Sequence, residues 1–213
     1  TVTQQNMSAV LNMLGFALVR QGDLAGALAA YRESMDIARG LATKDPGNSG
    51  WRQNVSLALV AFGDVLMAKG DLNGALTNYR ESLMIRRELV AKDHNNLQWR
   101  GALSESLDKI GDVLSIQGDL DNALIAHRES AEGLREIAAK DTGEQILRRD
   151  LSVVLNKVGN ILGTKGDLNG ALAIQRESLD ISRAVAAKDP SNNDWQMDVA
   201  RTLMSIGNVC VCL

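Results

Sequence analysis

The sequence predicts an all-α solenoid: four consecutive helix-turn-helix repeats, then a ninth helix with no partner of its own. Three observations carry this. Gly-Asp-Leu returns at 22–24, 70–72, 118–120 and 166–168, each time 48 residues on. A period in the ~20–50 residue range is the mark of stacked supersecondary units. The flanking residues keep the same period, with Ala-Leu at 27–28, 75–76, 123–124 and 171–172, and Arg-Glu-Ser at 32–34, 80–82, 128–130 and 176–178. Lys-Asp closes each copy at 44–45, 92–93, 140–141 and 188–189. Finally, only 2 Pro and 3% aromatic residues beside abundant Ala and Leu favour helices over sheets.

The first repeat spans about 3–50, the second 51–98, the third 99–146 and the fourth 147–194, with the last helix at 195–213. The second is the most legible. From Trp51 to Lys69, apolar residues at Val55, Ala58, Leu59, Phe62 and Leu66 fall on one helical stripe. Gly70 ends that helix as a left-handed cap, a conformation free of steric penalty only for glycine. Asp71 opens the next helix, its carboxylate taking orphan amide protons at the positive end of the macrodipole. This second helix carries Leu72, Leu76, Tyr79, Leu83 and Leu89 to about Lys92, and His94-Asn95-Asn96 leads into the third repeat. Each repeat is thus two antiparallel helices of ~20 residues, ~30 Å long. In the third repeat, Gly133 stands in a helix interior where its neighbours have Ile85 and Ile181. Against alanine that costs ~1 kcal/mol, so local fraying is expected. The stretch 195–213 aligns with a first helix and stops before its Gly-Asp turn. Its stripe of Val199, Leu203, Ile206 and Cys210 is expected to be covered on one side only, which suits stacking on another molecule or continuation into further sequence. Beginning at Thr1 rather than Met, the chain reads as a piece of a longer polypeptide.

The slots within each copy carry a family likeness. The first helix of the second repeat holds Leu59, Phe62-Gly63 and Leu66, and its second helix has Ala75 and Tyr79 in the small-residue and aromatic slots. The other copies show Leu11, Leu14-Gly15, Leu18, Ala27 and Tyr31; Leu107, Ile110-Gly111, Leu114 and Ala123; and Leu155, Val158-Gly159, Leu162 and Ala171. This resembles the tetratricopeptide repeat family. The resemblance implies a right-handed α–α superhelix whose first helices line a concave groove that holds an extended peptide or a partner's helix. Two features depart from the family pattern. The period is 48 rather than ~34 residues, and Arg87 stands where a proline normally closes the second helix. Both are consistent with helices running on by about two turns, a long-helix variety similar to kinesin light chain repeats. Armadillo or HEAT repeats, at ~40–47 residues, are the alternative, disfavoured by the Gly-Asp turn and the alanine slots.

No catalytic arrangement emerges, so the chain is read as no enzyme, with no cofactor and no metal. His94 and His127 have no Ser, Cys or ligand set at a suggestive spacing, and His127 takes the slot of Tyr31 and Tyr79 as a packing residue. Cys210 and Cys212, two apart on a helix, point in different directions and are read as reduced cysteines, which suits a cytoplasmic chain. A net charge of −3 argues against a nucleic-acid partner. No apolar run approaches the ~18 residues of a membrane span, and no basic-then-apolar leader opens the chain. The repeated Arg-Glu pairs are read as a ladder between copies, assisted within helices by Arg32–Asp36, Arg128–Glu132 and Arg176–Asp180. Trp51, Trp99 and Trp195, with Leu147 in the same place, are read as interhelix packing.

What varies between copies points to the groove. Beside the packed stripe of each first helix lie Ala9, Asn12, Met13 and Phe16; Leu57, Val60, Ala61 and Asp64; Glu105, Asp108, Lys109 and Asp112; Val153, Asn156, Lys157 and Asn160; and Arg201, Met204, Ser205 and Asn208. Along the stack this surface passes from apolar through acidic to amide-rich and basic. Asn side chains both donate to and accept from a peptide backbone, and Lys and Arg hold carboxylates. Asn156, Lys157, Asn160, Arg201 and Asn208 are therefore expected to bind the polar or acidic part of an extended ligand, and Met13, Phe16, Leu57 and Val60 its apolar part. The expectation is a protein- or peptide-binding adaptor. The alternatives are a module that associates with itself end to end through the last helix, or the regulatory domain of a larger signalling protein.

Overall fold

The computed structural model describes residues 2–140 and 145–212, leaving aside the side chains of Val2 and Cys212. Asp141, of the third Lys-Asp pair, therefore lies outside the described residues. The described residues form nine α-helices: α1 (Val2–Gln21), α2 (Leu24–Lys44), α3 (Ser49–Ala68), α4 (Leu72–Lys92), α5 (Leu97–Ile116), α6 (Leu120–Lys140), α7 (Gln145–Thr164), α8 (Leu168–Ala186) and α9 (Asn193–Cys212). The fold is all-α. Two compact units divide it, Thr1–Val113 and Leu114–Leu213, the boundary falling inside α5. In the first unit α1 packs on α2, α2 on α3 and α3 on α4. In the second, α6 packs on α7, α7 on α8 and α8 on α9, and α9 also touches α7.

The Gly-Asp dipeptide ends one helix and begins the next. Gly70 sits at φ +81° with its N–H on the Met67 carbonyl, and the Asp71 N–H reaches back to the Leu66 carbonyl at 2.9 Å. This is the paired closure of a Schellman motif. The Asp71 carboxylate then accepts from the Gly74 N–H at 2.9 Å, capping α4. The same bonds recur at Asp23, Asp119 and Asp167. The connections between repeats use asparagine: Asn48, Asn96 and Asn192 accept from the backbone N–H of Trp51, Trp99 and Trp195. These three caps fall on the 48-residue period, one and then two periods apart, a signal the tryptophans mark.

Inside each pair the core is narrow. Met35, Ala38, Val55, Ala58 and Leu59 form one cluster in the first unit, and Ala131, Leu134, Leu151, Val154 and Leu155 form its equivalent in the second, with Leu147 packed against it. The serine of Arg-Glu-Ser is the buried member of that motif. The Ser34, Ser82 and Ser178 hydroxyls donate to the carbonyls of Ser8, Ser56 and Ser152 on the preceding helix. The Leu-Gly glycine permits close approach, since a Cβ on Gly63 would stand 2.7 Å from the Tyr79 ring. His127 is buried in that tyrosine slot, and α6 runs unbroken through Gly133.

The charged ladder forms with a different cation. Glu81 pairs with Arg39 at 2.5 Å and Glu177 with Arg135 at 2.8 Å, each arginine belonging to the previous repeat. Arg39, Arg87 and Arg135 share one register, so the position that lacks the family's proline is one where arginine bridges repeats. The within-helix pairs expected at Arg32, Arg128 and Arg176 do not form among the described residues. Arg32 lies instead over the Phe62 ring, 5.6 Å from its centroid.

Candidate functional site

Several positions expected to face a groove lie together in the second unit, around one cavity between α7 and α9. Its volume is about 270 Å³, and its lining includes Asn156, Lys157, Asn160 and Arg201 together with Asp198 and Thr202. The spacing explains the convergence: Asn156, Lys157 and Asn160 lie within one turn of α7, and Asp198, Arg201 and Thr202 within one turn of α9.

Asp198 organises the α9 side. Its carboxylate, 4% exposed, accepts from Arg149 Nε at 2.6 Å and from Arg201 Nη1 at 2.8 Å. That bond to Asp198 holds the Arg149 guanidinium above its ordinary pKa, against the opposing effect of burial. Thr202 Oγ1 donates to the Asp198 carbonyl at 2.9 Å and accepts from Asn156 Nδ2 at 3.0 Å. The direction of this chain fixes the Asn156 amide. Its Oδ1 is left buried with no hydrogen-bond partner among the described residues, in a side chain only 5% exposed. An orphan acceptor of this kind costs ~1–3 kcal/mol unless a donor reaches it. One turn on, Asn160 Oδ1 accepts from Gln175 Nε2 at 3.0 Å, and the exposed Asn160 NH₂ makes no hydrogen bond among the described residues.

In the first unit some equivalent positions are occupied with one another, while Asn12 Oδ1, in the register of Asn156, is likewise buried with no partner among the described residues. Asp64 accepts from the Tyr79 hydroxyl at 2.6 Å and pairs with Lys109 at 2.8 Å. Burial first, and then the Asp64 carboxylate, push the Tyr79 phenol far above its ordinary range. Arg86, 1% exposed, crosses from α4 to bond Glu105 Oε2 and Ser106 Oγ, both at 3.0 Å, and the Ala102 carbonyl. Burial lowers its pKa and Glu105 opposes that shift. Asp108 and Asp112 are half-buried, as is Asn12. Met13, Phe16 and Leu57 are exposed, at 72%, 59% and 45%. Val60 departs from expectation: at 6% exposure it belongs to the core and is no groove wall. Asn208 is exposed on α9 and is not among the residues that line the cavity.

Asp198 and Thr202 were not anticipated as site residues. Thr202 carries a readable signal, because Val10, Ala58 and Val154 hold the same register in three of the four earlier copies, the other having Ser106. A hydroxyl in a core slot needs partners.

A tetratricopeptide repeat profile matches residues 8–42 and 152–190, whose starting points differ by 152 − 8 = 144, three periods of 48. No curated protein matches the chain in sequence. Among solved structures, BtubC (BKLC) from P. vanneervenii superposes with a TM-score of 0.61 at 14% identity, covering 93% of this chain and 76% of that one. A putative kinesin light chain from Podosopora anserina, with nearly identical TPR-like repeats, gives 0.63 at 13% identity over 94% and 86%. The apo form of RapI gives 0.65 at 13% identity over 87% of this chain and 57% of its own. At these identities the likeness is one of fold. The matched segments lie in the first and fourth copies, and the copies between them keep the same turn, alanine and glycine slots, so the chain is similar to the tetratricopeptide repeat family in each of its four copies.

Proposed function

We propose that this chain is a non-catalytic adaptor that binds an extended peptide of a partner protein, and that the cavity between α7 and α9 is its principal contact. The family and its structural neighbours support a generic protein-interaction scaffold. The observation that carries the finer reading is the buried, unpartnered Asn156 Oδ1 on the wall of that cavity. A peptide N–H satisfies it, the Asn160 NH₂ meets a peptide carbonyl, and Lys157 and Arg201 suit an acidic side chain. The test is enrichment of a random peptide library on the purified chain, against a control carrying Asn156→Ala, Lys157→Ala and Asn160→Ala with unchanged circular dichroism. A motif, acidic in part, is expected with the parent and not with the control. Equal enrichment on both sinks the assignment of this cavity.

The exposed end helices favour a second reading, self-association. Leu203 on α9 is 44% exposed where Leu155, one repeat earlier, is 1% exposed. On α1, Met7, Val10 and Leu14 are 51%, 62% and 47% exposed where Val55, Ala58 and Phe62 are buried. A concentration-dependent mass abolished by Leu203→Glu, with helicity retained, selects this reading. A constant monomer mass removes it.

A further inference from the structure

Gly207 on α9 keeps the register of Gly15, Gly63 and Gly159 on α1, α3 and α7. On those three helices a side chain of the following helix seats on the glycine. A Cβ there would stand 2.7 Å from the Tyr31 ring, 2.7 Å from the Tyr79 ring and 2.5 Å from Gln175 Cγ. At Gly207 a Cβ would meet nothing within 4 Å. In two of the filled copies the residue after the glycine takes the polar end of the same side chain: Asp64 accepts from the Tyr79 hydroxyl, and Asn160 Oδ1 from Gln175 Nε2. Asn208 holds that place on α9, exposed and with no hydrogen bond among the described residues. The flanking stripe is open as well. Leu203 is 44% exposed, whereas Leu155, in its register, is 1% exposed in a cluster that Ile174 and Ile181 of α8 pack against. The charge ladder has an open place on the neighbouring α8. Arg39 and Arg135 pair with Glu81 and Glu177, one repeat on. Arg183 shares their register, exposed and with no ion pair among the described residues.

We propose that this face of α9 is a docking site for one α-helix of a partner protein, lying antiparallel to α9 with a tyrosine over Gly207. The filled copies define that helix. It carries alanine four residues before the tyrosine, as Ala27 stands before Tyr31 and Ala75 before Tyr79, and Arg-Glu-Ser directly after it. The tyrosine hydroxyl donates to Asn208 Oδ1, and the glutamate, two residues on, meets Arg183. The serine donates to the Ala200 carbonyl, in the register where Ser34, Ser82 and Ser178 reach Ser8, Ser56 and Ser152. This charge complementarity favours a partner's helix over a second copy, because neither exposed end helix, α1 or α9, contains a tyrosine or a glutamate. Leu203, Gly207 and Asn208 are not among the residues lining the cavity against α7, so the two sites are independent.

The experiment titrates the intact chain with a synthetic peptide copying residues 71–92, which holds Ala75, Tyr79, Glu81 and Ser82, and follows the Leu203 and Ile206 methyls by NMR. Saturable shifts at these methyls are expected. Tyr79→Ala in the peptide should weaken binding about tenfold. Gly207→Leu in the chain should abolish it with α9 still folded, since leucine is the better helix former and enters open space. Arg183→Glu should weaken it a few-fold, and Glu81→Arg in the peptide should restore binding to that variant. The Asn156, Lys157 and Asn160 triple alanine variant should bind the peptide as the parent does. If Gly207→Leu fails to fold by circular dichroism, the charge exchange at Arg183 decides. No shifts at these methyls, or binding indifferent to Tyr79→Ala and to the charge exchange, overturn the proposal. So do shifts that appear with protein concentration alone and vanish in Gly207→Leu, which place a second copy on this face instead.

Discussion

The second and fourth copies use the same first-helix register in opposite ways. In the second, Val60 fills its slot with carbon, and Asp64 and Tyr79 satisfy each other together with Lys109 of the third. In the fourth, Asn156 takes the slot of Val60 and leaves an acceptor bare, while Gln175 takes that of Tyr79 and Asn160 that of Asp64. The contrast is between these two copies, since Asn12 of the first copy also carries a buried Oδ1 with no partner among the described residues. A repeated fold can thus fill one register with carbon in one copy and leave a bare acceptor there in another.

Four changes break or sharpen this contrast. The largest effect belongs to Arg86, which stands where the second unit has Leu134 and Ser182. Arg86→Ala strips Glu105, Ser106 and the Ala102 carbonyl of their partner, and is expected to cost about 3 kcal/mol in urea unfolding. Arg86→Leu, borrowing the other unit's residue, refills the space but strips the same partners, so it should recover only about 1 kcal/mol of that loss. An equal loss in both would mean that the polar bonds alone, and no packing, hold this place together. Next comes Gly63→Ala, whose Cβ would lie 2.7 Å from a rigid ring, against Gly159→Ala, which meets the flexible Gln175 chain. Gly63→Ala should cost about 2 kcal/mol and Gly159→Ala less, read from thermal melts.

The third test uses pH. Tyr79 and Tyr31 are the chain's two tyrosines, and both phenols are raised above 10.0, chiefly by burial. A folded-state value above the unfolded one gives stability that is complete below about pH 10 and lost as pH rises beyond it. Phenolate absorbance should therefore appear together with unfolding rather than before it. Tyr79→Phe should flatten this alkaline limb at a cost near 1 kcal/mol at neutral pH. The smallest effect is expected for Arg39→Ala, since Arg39 and Glu81 are 43% and 38% exposed. About 0.5 kcal/mol or less is expected, shrinking further with salt.

Periodicity made the helices, the Gly-Asp turns and the core slots legible, because a pattern stated four times is its own alignment. The convergence of Asn156, Lys157, Asn160 and Arg201 on one cavity followed from placing equivalent residues on neighbouring first helices. Burial within that register was harder to read. Val60 and Asn156 share one nearly closed position, and helical spacing alone does not tell a groove wall from the edge of the core. Likewise, the partners of Asp198 and of Arg39 depend on side-chain reach between helices, to Arg149 49 residues away and to Glu81 42 residues away. Sequence spacing carries no such distances.

The bare Asn156 carbonyl oxygen has a consequence for the unliganded protein. It is a built-in instability, and a variant without it is expected to be the sturdier molecule. Asn156→Val, copying Val60 of the second copy, should raise the melting temperature of the empty chain and, under the proposed function, abolish any stabilisation by peptide. For the parent, a ligand that supplies the missing proton should announce itself as heat resistance, growing with the logarithm of its concentration. A melting curve then becomes a partner screen that needs no label and no prior guess at a motif.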